Sequence, residues 1–247
     1  MVTPRAQVRP YRSIAPLLLR ATSGCEDGRV DREADLRALY GLVHRFAVTR
    51  DRGRTPIAPR QVVARAADSE LMLLAQGLAQ STQRVTGYPY RNPTGLSPAG
   101  ERLDGFLRPL EYTIDHTDSS RAYVYSTDLV PWYPGKHPAG KGDIRPAADD
   151  VEHSWRFFQQ EVQLVRPRVI ILLGGWAADR YLRRYGAGPL KAGLTESAGK
   201  RFESSVAGHP IAAVVAFHPS AVWGRFEVSG RESWLRAVET VQQLLAR

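Results

Sequence analysis

The chain has 247 residues, 43% hydrophobic and 24% charged, the balance of an ordinary globular protein. No apolar stretch approaches the roughly 18–20 residues of a membrane span, and no apolar core with a small-residue cleavage site marks a secretory signal, so a cytoplasmic location is expected. The single cysteine, Cys25, excludes an intrachain disulfide and a cysteine-ligated zinc or iron–sulfur site built from this chain, while a net charge of +9 favours a polyanionic partner.

In chain order, residues 31–48 place Leu36, Leu39, Tyr40, Val43 and Phe46 at helical spacing, with Asp31 as N-cap. The segment "RDRGRTPIAPR" at 50–60 follows, basic and rich in Pro and Gly, and reads as a linker or arm; residues 1–60 are therefore expected to form an N-terminal helix and arm, and residues 61–247 the main domain. Four apolar runs then stand out: "LMLLAQ" at 71–76, "AYVYST" at 122–127, "VIILLG" at 169–174 and "IAAVVAF" at 211–217. They are nearly continuous rather than alternating, as in parallel strands covered on both faces. Helical patterns over 97–110, 146–167 and 229–247 separate or follow them. The expected fold is α/β, a three-layer αβα sandwich around a mostly parallel four-stranded sheet.

In such sheets ligands bind beyond the carboxyl ends of the strands. After the first run comes a loop with Gly77, Ala79, Gln80, Ser81, Tyr88 and Tyr90; after the second, Asp128; after the third, Gly174 and Gly175; after the fourth, His218, Pro219 and Ser220. Each alone has a structural explanation: the glycines as a turn, the tyrosines as packing, Asp128 as a loop cap, His218 as a satisfied histidine. Together they would converge on one edge of a parallel sheet.

The ordered set "GLAQ…GYPY…SPAGERLDGFL…YSTDLVP…VRPRVIILLGGWAA…FHPS" resembles the uracil-DNA glycosylase superfamily over about residues 70–225. The resemblance implies an enzyme that flips a nucleotide out of the DNA stack and cleaves its N-glycosidic bond. It implies that Gly77, Ala79, Gln80 and Ser81 lie in the loop that positions the attacking water, and that Tyr90 stacks on the flipped base. It further implies that Asp128 reads the base edge and that His218 stabilises negative charge on the departing pyrimidine. Ser220 would hold a DNA phosphate, and Arg225, Arg54 and Arg60 would add phosphate contacts. No metal, no other cofactor and no membrane contact is expected, and the protein is expected to be a monomer.

Two departures from the family pattern bear on chemistry. "GLAQS" lacks the acid that several branches carry, and Gln80 can orient a water but cannot accept its proton as a base, which favours a dissociative reaction driven by charge stabilisation at the base. Asp128 stands where uracil readers typically have Asn; an ionised carboxylate only accepts hydrogen bonds, which suits the N4 amino group of a cytosine-type base. A modified cytosine such as the glucosylated hydroxymethylcytosine of phage DNA, and hence antiviral defence, is compatible with this, as is uracil itself. A non-catalytic DNA-binding module and a nucleoside or nucleotide hydrolase of similar architecture remain open as alternatives.

Overall fold

The computed structural model describes residues 31–50, 64–77, 86–132, 145–186, 188–222 and 227–247. The elements run α1 (Arg32–Arg50), β1 (Leu71–Gly77), β2 (Arg91–Asn92), β3 (Gly95–Leu96), α2 (Pro98–Leu107), β4 (Tyr112–Thr113), β5 (Ala122–Tyr123) and β6 (Tyr125–Val130). They continue as α3 (Ala148–Val165), β7 (Val169–Leu173), α4 (Gly175–Tyr185), α5 (Gly193–Ser197), β8 (Arg201–Val206), β9 (His209–Ala216) and α6 (Glu227–Leu245).

The apolar runs become strands for the expected reason: every residue of β7 and six of the eight in β9 are buried. The main sheet has the order β6–β1–β7–β9–β8, with the first four strands parallel and β8 antiparallel to β9. It therefore has five strands, where the apolar runs indicate four. The fifth, "RFESSV", lies on the edge and leaves three of its residues exposed, so it carries no continuous apolar run.

The second strand also lies further along than its apolar run. Ala122 and Tyr123 pair instead with Tyr112 and Thr113 in a small separate sheet, and the strand beside β1 is Tyr125–Val130. Its register, Met72 to Tyr125 and Ala75 to Asp128, draws Ser126, Thr127 and Asp128 into the sheet, where all three are buried. Asp128 is thus a strand residue and not part of the loop beyond.

Alternate side chains of the sheet feed two cores. Met72, Leu74, Ile170, Leu172, Ala213 and Val215 pack with α1, α3 and α4, whereas Leu71, Leu73, Ile171, Val214 and Ala216 pack with α2 and α6. Helix α1 belongs to the first of these cores, burying Leu36, Leu39, Tyr40 and Val43. A polar knot reinforces it. The Glu161 carboxylate of α3, 3% exposed, accepts hydrogen bonds from Tyr40 of α1 and from Tyr125 (2.9 Å) and Thr127 (2.9 Å) of β6. A carboxyl group is tolerated in such a place because donors surround it.

Helix ends obey local chemistry. Ser97 caps α2 by accepting from the Gly100 amide at 3.2 Å, with Pro98 in the first turn. Helix α3 carries Asp149 and Asp150 in its first turn and stops at Arg166, in the left-handed region at φ 54°, just before Pro167. Among the described residues no helix is long and apolar enough to cross a membrane.

Candidate active site

The sheet order sends the chain from β1 outward to β6, then back across to β7 on the other side of β1. The connections leaving the carboxyl ends of β1 and β7 therefore diverge, and a crevice opens at that edge. Gly77 ends β1 there, opposite Val130 of β6. Gly174, at φ 89°, makes the turn from β7 into α4, and a Cβ there would stand 3.5 Å from that of His218.

His218 leaves β9 on a backbone fixed from two sides. The indole N–H of Trp234, fully buried on α6, donates to the Phe217 carbonyl at 3.0 Å, and the Phe217 amide donates to Ser233 Oγ at 3.4 Å. On the far side of the histidine, Arg102 Nε of α2 donates to the Pro219 carbonyl at 3.0 Å. Two helices thus hold the residues flanking the imidazole.

The protonation state follows from geometry. The Ser220 amide, which can only donate, points at His218 Nδ1 from 3.2 Å, and the Ser220 hydroxyl lies 2.6 Å from the same nitrogen. Nδ1 therefore accepts, and the ring proton of the neutral imidazole sits on Nε2. Burial first, then the positive charge of Arg102, pushes the imidazole pKa down to about 4, so the ring is neutral at pH 7. What His218 offers is an Nε2–H donor. Ser220, expected at a phosphate, has both its amide and its hydroxyl turned to this ring.

Opposite Nε2, at 3.3 Å, stands the hydroxyl of Tyr90. Tyr90 is held at φ 58°, a conformation that costs on the order of 1–3 kcal/mol for a bulky residue and persists only when its neighbours impose it. They do so here. Its carbonyl accepts from the Ser97 amide at 2.8 Å, and Gly100 of α2 lies so close that a Cβ would come within 2.5 Å of the same oxygen. The segment "NPTGLSPAG" thus places Tyr90 as well as starting α2. The Tyr90 and His218 rings lie 6.0 Å apart at 37°.

Asp128 comes from β6, which β1 and β7 separate from β9 in the sheet. Thr127 turns to Glu161 on the α3 side, so Asp128, next along β6, projects to the α2 side, the one from which Tyr90 approaches. It stands opposite Ala75, and Leu173 opposite Ala216, so both lie near the carboxyl ends of their strands, with His218 two residues beyond Ala216. It is 7% exposed.

Of the residues expected at the site, the structure brings Gly77, Tyr90, Asp128, His218 and Ser220 to one edge of the sheet. Ala79, Gln80, Ser81, Arg54, Arg60 and Arg225 lie outside the described residues. Sequence reasoning missed Arg102, Gly100 and Trp234, which act on the site through contacts across the fold. The cue for Gly100 was present in "SPAG", where a helix start with glycine in its first turn marks a close backbone approach. Tyr88 was noted, but not that it stacks on His116, ring centroids 4.2 Å apart and nearly parallel. Among the described residues no three His, Cys, Asp or Glu side chains gather as a metal site would require.

No curated protein matches the sequence. Residues 64–240 match the family model of the uracil DNA glycosylase superfamily, a span from the turn before β1 well into α6 that takes in the sheet, Tyr90, Asp128 and His218. With most of the chain inside that match, and a mostly parallel sheet flanked by helices beneath it, the protein belongs to the uracil DNA glycosylase superfamily.

Proposed function

We propose that the protein is a monofunctional DNA glycosylase that flips out a pyrimidine, hydrolyses its N-glycosidic bond and leaves an abasic site. The observation that carries this is His218: a neutral imidazole, its proton directed to Nε2 by Ser220, held at the carboxyl edge of the sheet. As the N1–C1′ bond breaks, its electron pair passes to the base and spreads onto O2. A fixed donor aimed at that oxygen is stronger for the transition state than for the ground state, and removing one such donor typically costs about 10²–10³ in rate. Water adds to C1′ and loses its proton to solvent.

The base proposed is a modified cytosine, with uracil as the other pyrimidine to test. A buried carboxylate at Asp128 accepts and cannot donate while ionised, so it matches an exocyclic amino group and repels a carbonyl oxygen. Glucosylated hydroxymethylcytosine would give the enzyme a role in defence against phage. DNA is the proposed partner, approached by a chain of net charge +9 acting as a monomer in the cytoplasm.

The test is base release, read by mass spectrometry, from unmodified, uracil-containing, hydroxymethylcytosine-containing and glucosylated phage DNA. Release of a cytosine derivative is expected. Release of uracil alone would overturn the reading of Asp128, and binding without release from any substrate would overturn the enzymatic reading in favour of a DNA-binding module.

A further inference from the structure

We infer that the Tyr90 hydroxyl is a second hydrogen-bond donor to the departing base, forming with His218 Nε2–H a two-donor cradle for the pyrimidine O2. This rests on the reading of the protein as a pyrimidine glycosylase and gives Tyr90 a role beyond presenting a ring on which the base stacks.

Tyr90 Oη and His218 Nε2 lie 3.3 Å apart. With Nδ1 occupied by the Ser220 amide, Nε2 carries the proton, so in the DNA-free protein Nε2–H donates to the tyrosine oxygen. An oxygen placed about 2.8 Å from both atoms completes a triangle that each can reach at ordinary hydrogen-bond length. Once that oxygen belongs to a base, the Nε2–H is shared between it and the tyrosine oxygen, and the tyrosine O–H rotates about its C–O bond to donate to it as well.

The scaffold is consistent with a position that must be exact. A phenylalanine would stack as well, yet this tyrosine is held in a left-handed backbone by the Ser97 amide and by the missing side chain of Gly100, which together fix where its hydroxyl ends. Neither donor gives up its proton. The bond that breaks is N1–C1′, the bond that forms is C1′–O from water, and the base anion takes its proton from solvent after release. Two donors matter more than one here because a base leaving without prior protonation bears a full negative charge, and each preorganised donor stabilises it further.

The decisive variant is Tyr90→Phe, which keeps the ring and removes the hydroxyl. Single-turnover release of whichever base the wild-type protein excises should fall by about 10²-fold, with affinity for DNA carrying a non-cleavable analogue of that base within about twofold of wild type. The fall should persist, by at least about tenfold, in a His218→Ala background, since the hydroxyl touches the base directly. An unchanged or faster rate in Tyr90→Phe would overturn the inference, leaving the tyrosine as a stacking platform or a gate. A defect that vanishes in the His218→Ala background would also overturn it, by showing that the hydroxyl acts only through the histidine. Tyr90→Leu, which also loses the ring, should add a binding defect of about 5- to 150-fold. The wild-type protein is the separate control: if it releases no base, the glycosylase reading fails, whereas activity with an indifferent Tyr90→Phe sinks only the role of the hydroxyl.

Discussion

An imidazole with the ordinary pKa near 6.5 would be partly charged in the neutral range, and its donor strength would drift with pH. His218, pushed down to about 4 by burial and by Arg102, does not titrate there. The rate of base release should therefore show no inflection from this residue between about pH 5 and 8. A step near pH 6.5 that disappears in His218→Ala would contradict the assignment. The same shift has a consequence for stability. The folded protein resists protonating the ring while the unfolded chain accepts a proton near 6.5, so the contribution of the neutral ring is complete above about pH 6.5 and is lost as pH falls toward 4. His218→Ala should lower excision by orders of magnitude with little change in DNA affinity, measured by single-turnover kinetics beside a binding titration. At Asp128 the test concerns selectivity: Asp128→Asn supplies a donor where the carboxylate has none and should move preference from a cytosine derivative toward uracil in a competition assay. An unchanged preference would remove Asp128 from base reading.

Among the elements, helices α2 and α6 govern the site without supplying the atoms that face the base. Gly100→Ala on α2 would drive a methyl into the Tyr90 carbonyl, so the tyrosine must shift; excision should fall at least tenfold even though alanine favours the helix. Trp234 of α6 stacks on Phe106 of α2 at 4.9 Å and bonds the carbonyl just before His218, so it ties both helices to the strand end. Trp234→Phe should cost about 1–2 kcal/mol by removing the indole N–H that donates to the Phe217 carbonyl, and a chemical-denaturation midpoint would register it.

These contacts also show what the sequence could and could not reveal. The strands β1, β7 and β9 were legible because parallel strands buried on both faces must be apolar throughout, and their order placed His218 at the right edge. The edge strand β8 was not, since a strand half in water is free to be polar. Strand β6 was misplaced because Ala122 and Tyr123 look like its start until their pairing with Tyr112 and Thr113 is known, and because the buried Asp128 looks like a loop residue until the register with β1 is known. The meeting of Tyr90 with His218 joins residues 128 apart in the chain, and no local pattern encodes it.

For the molecule as a whole, the notable boundary is the one near residue 64. The family match begins there, after the basic segment, yet α1 lies upstream of it and within the core. Leu36, Leu39 and Val43 are at most 5% exposed, and burying a side chain of this kind is worth about 1.5–3 kcal/mol. Their sum approaches the entire stability of an ordinary domain. A chain beginning at residue 64 should therefore lose cooperative thermal unfolding and excision together, although it retains every residue of the proposed site. The family match and the core of the protein therefore begin at different places in the chain. Glu161 marks the difference: it lies within the inherited stretch, yet one of the hydroxyls that make its burial tolerable is contributed from outside. A carboxyl group so placed ties the preceding helix to the matched stretch, and a version of this domain moved into another chain should be more stable when that helix travels with it.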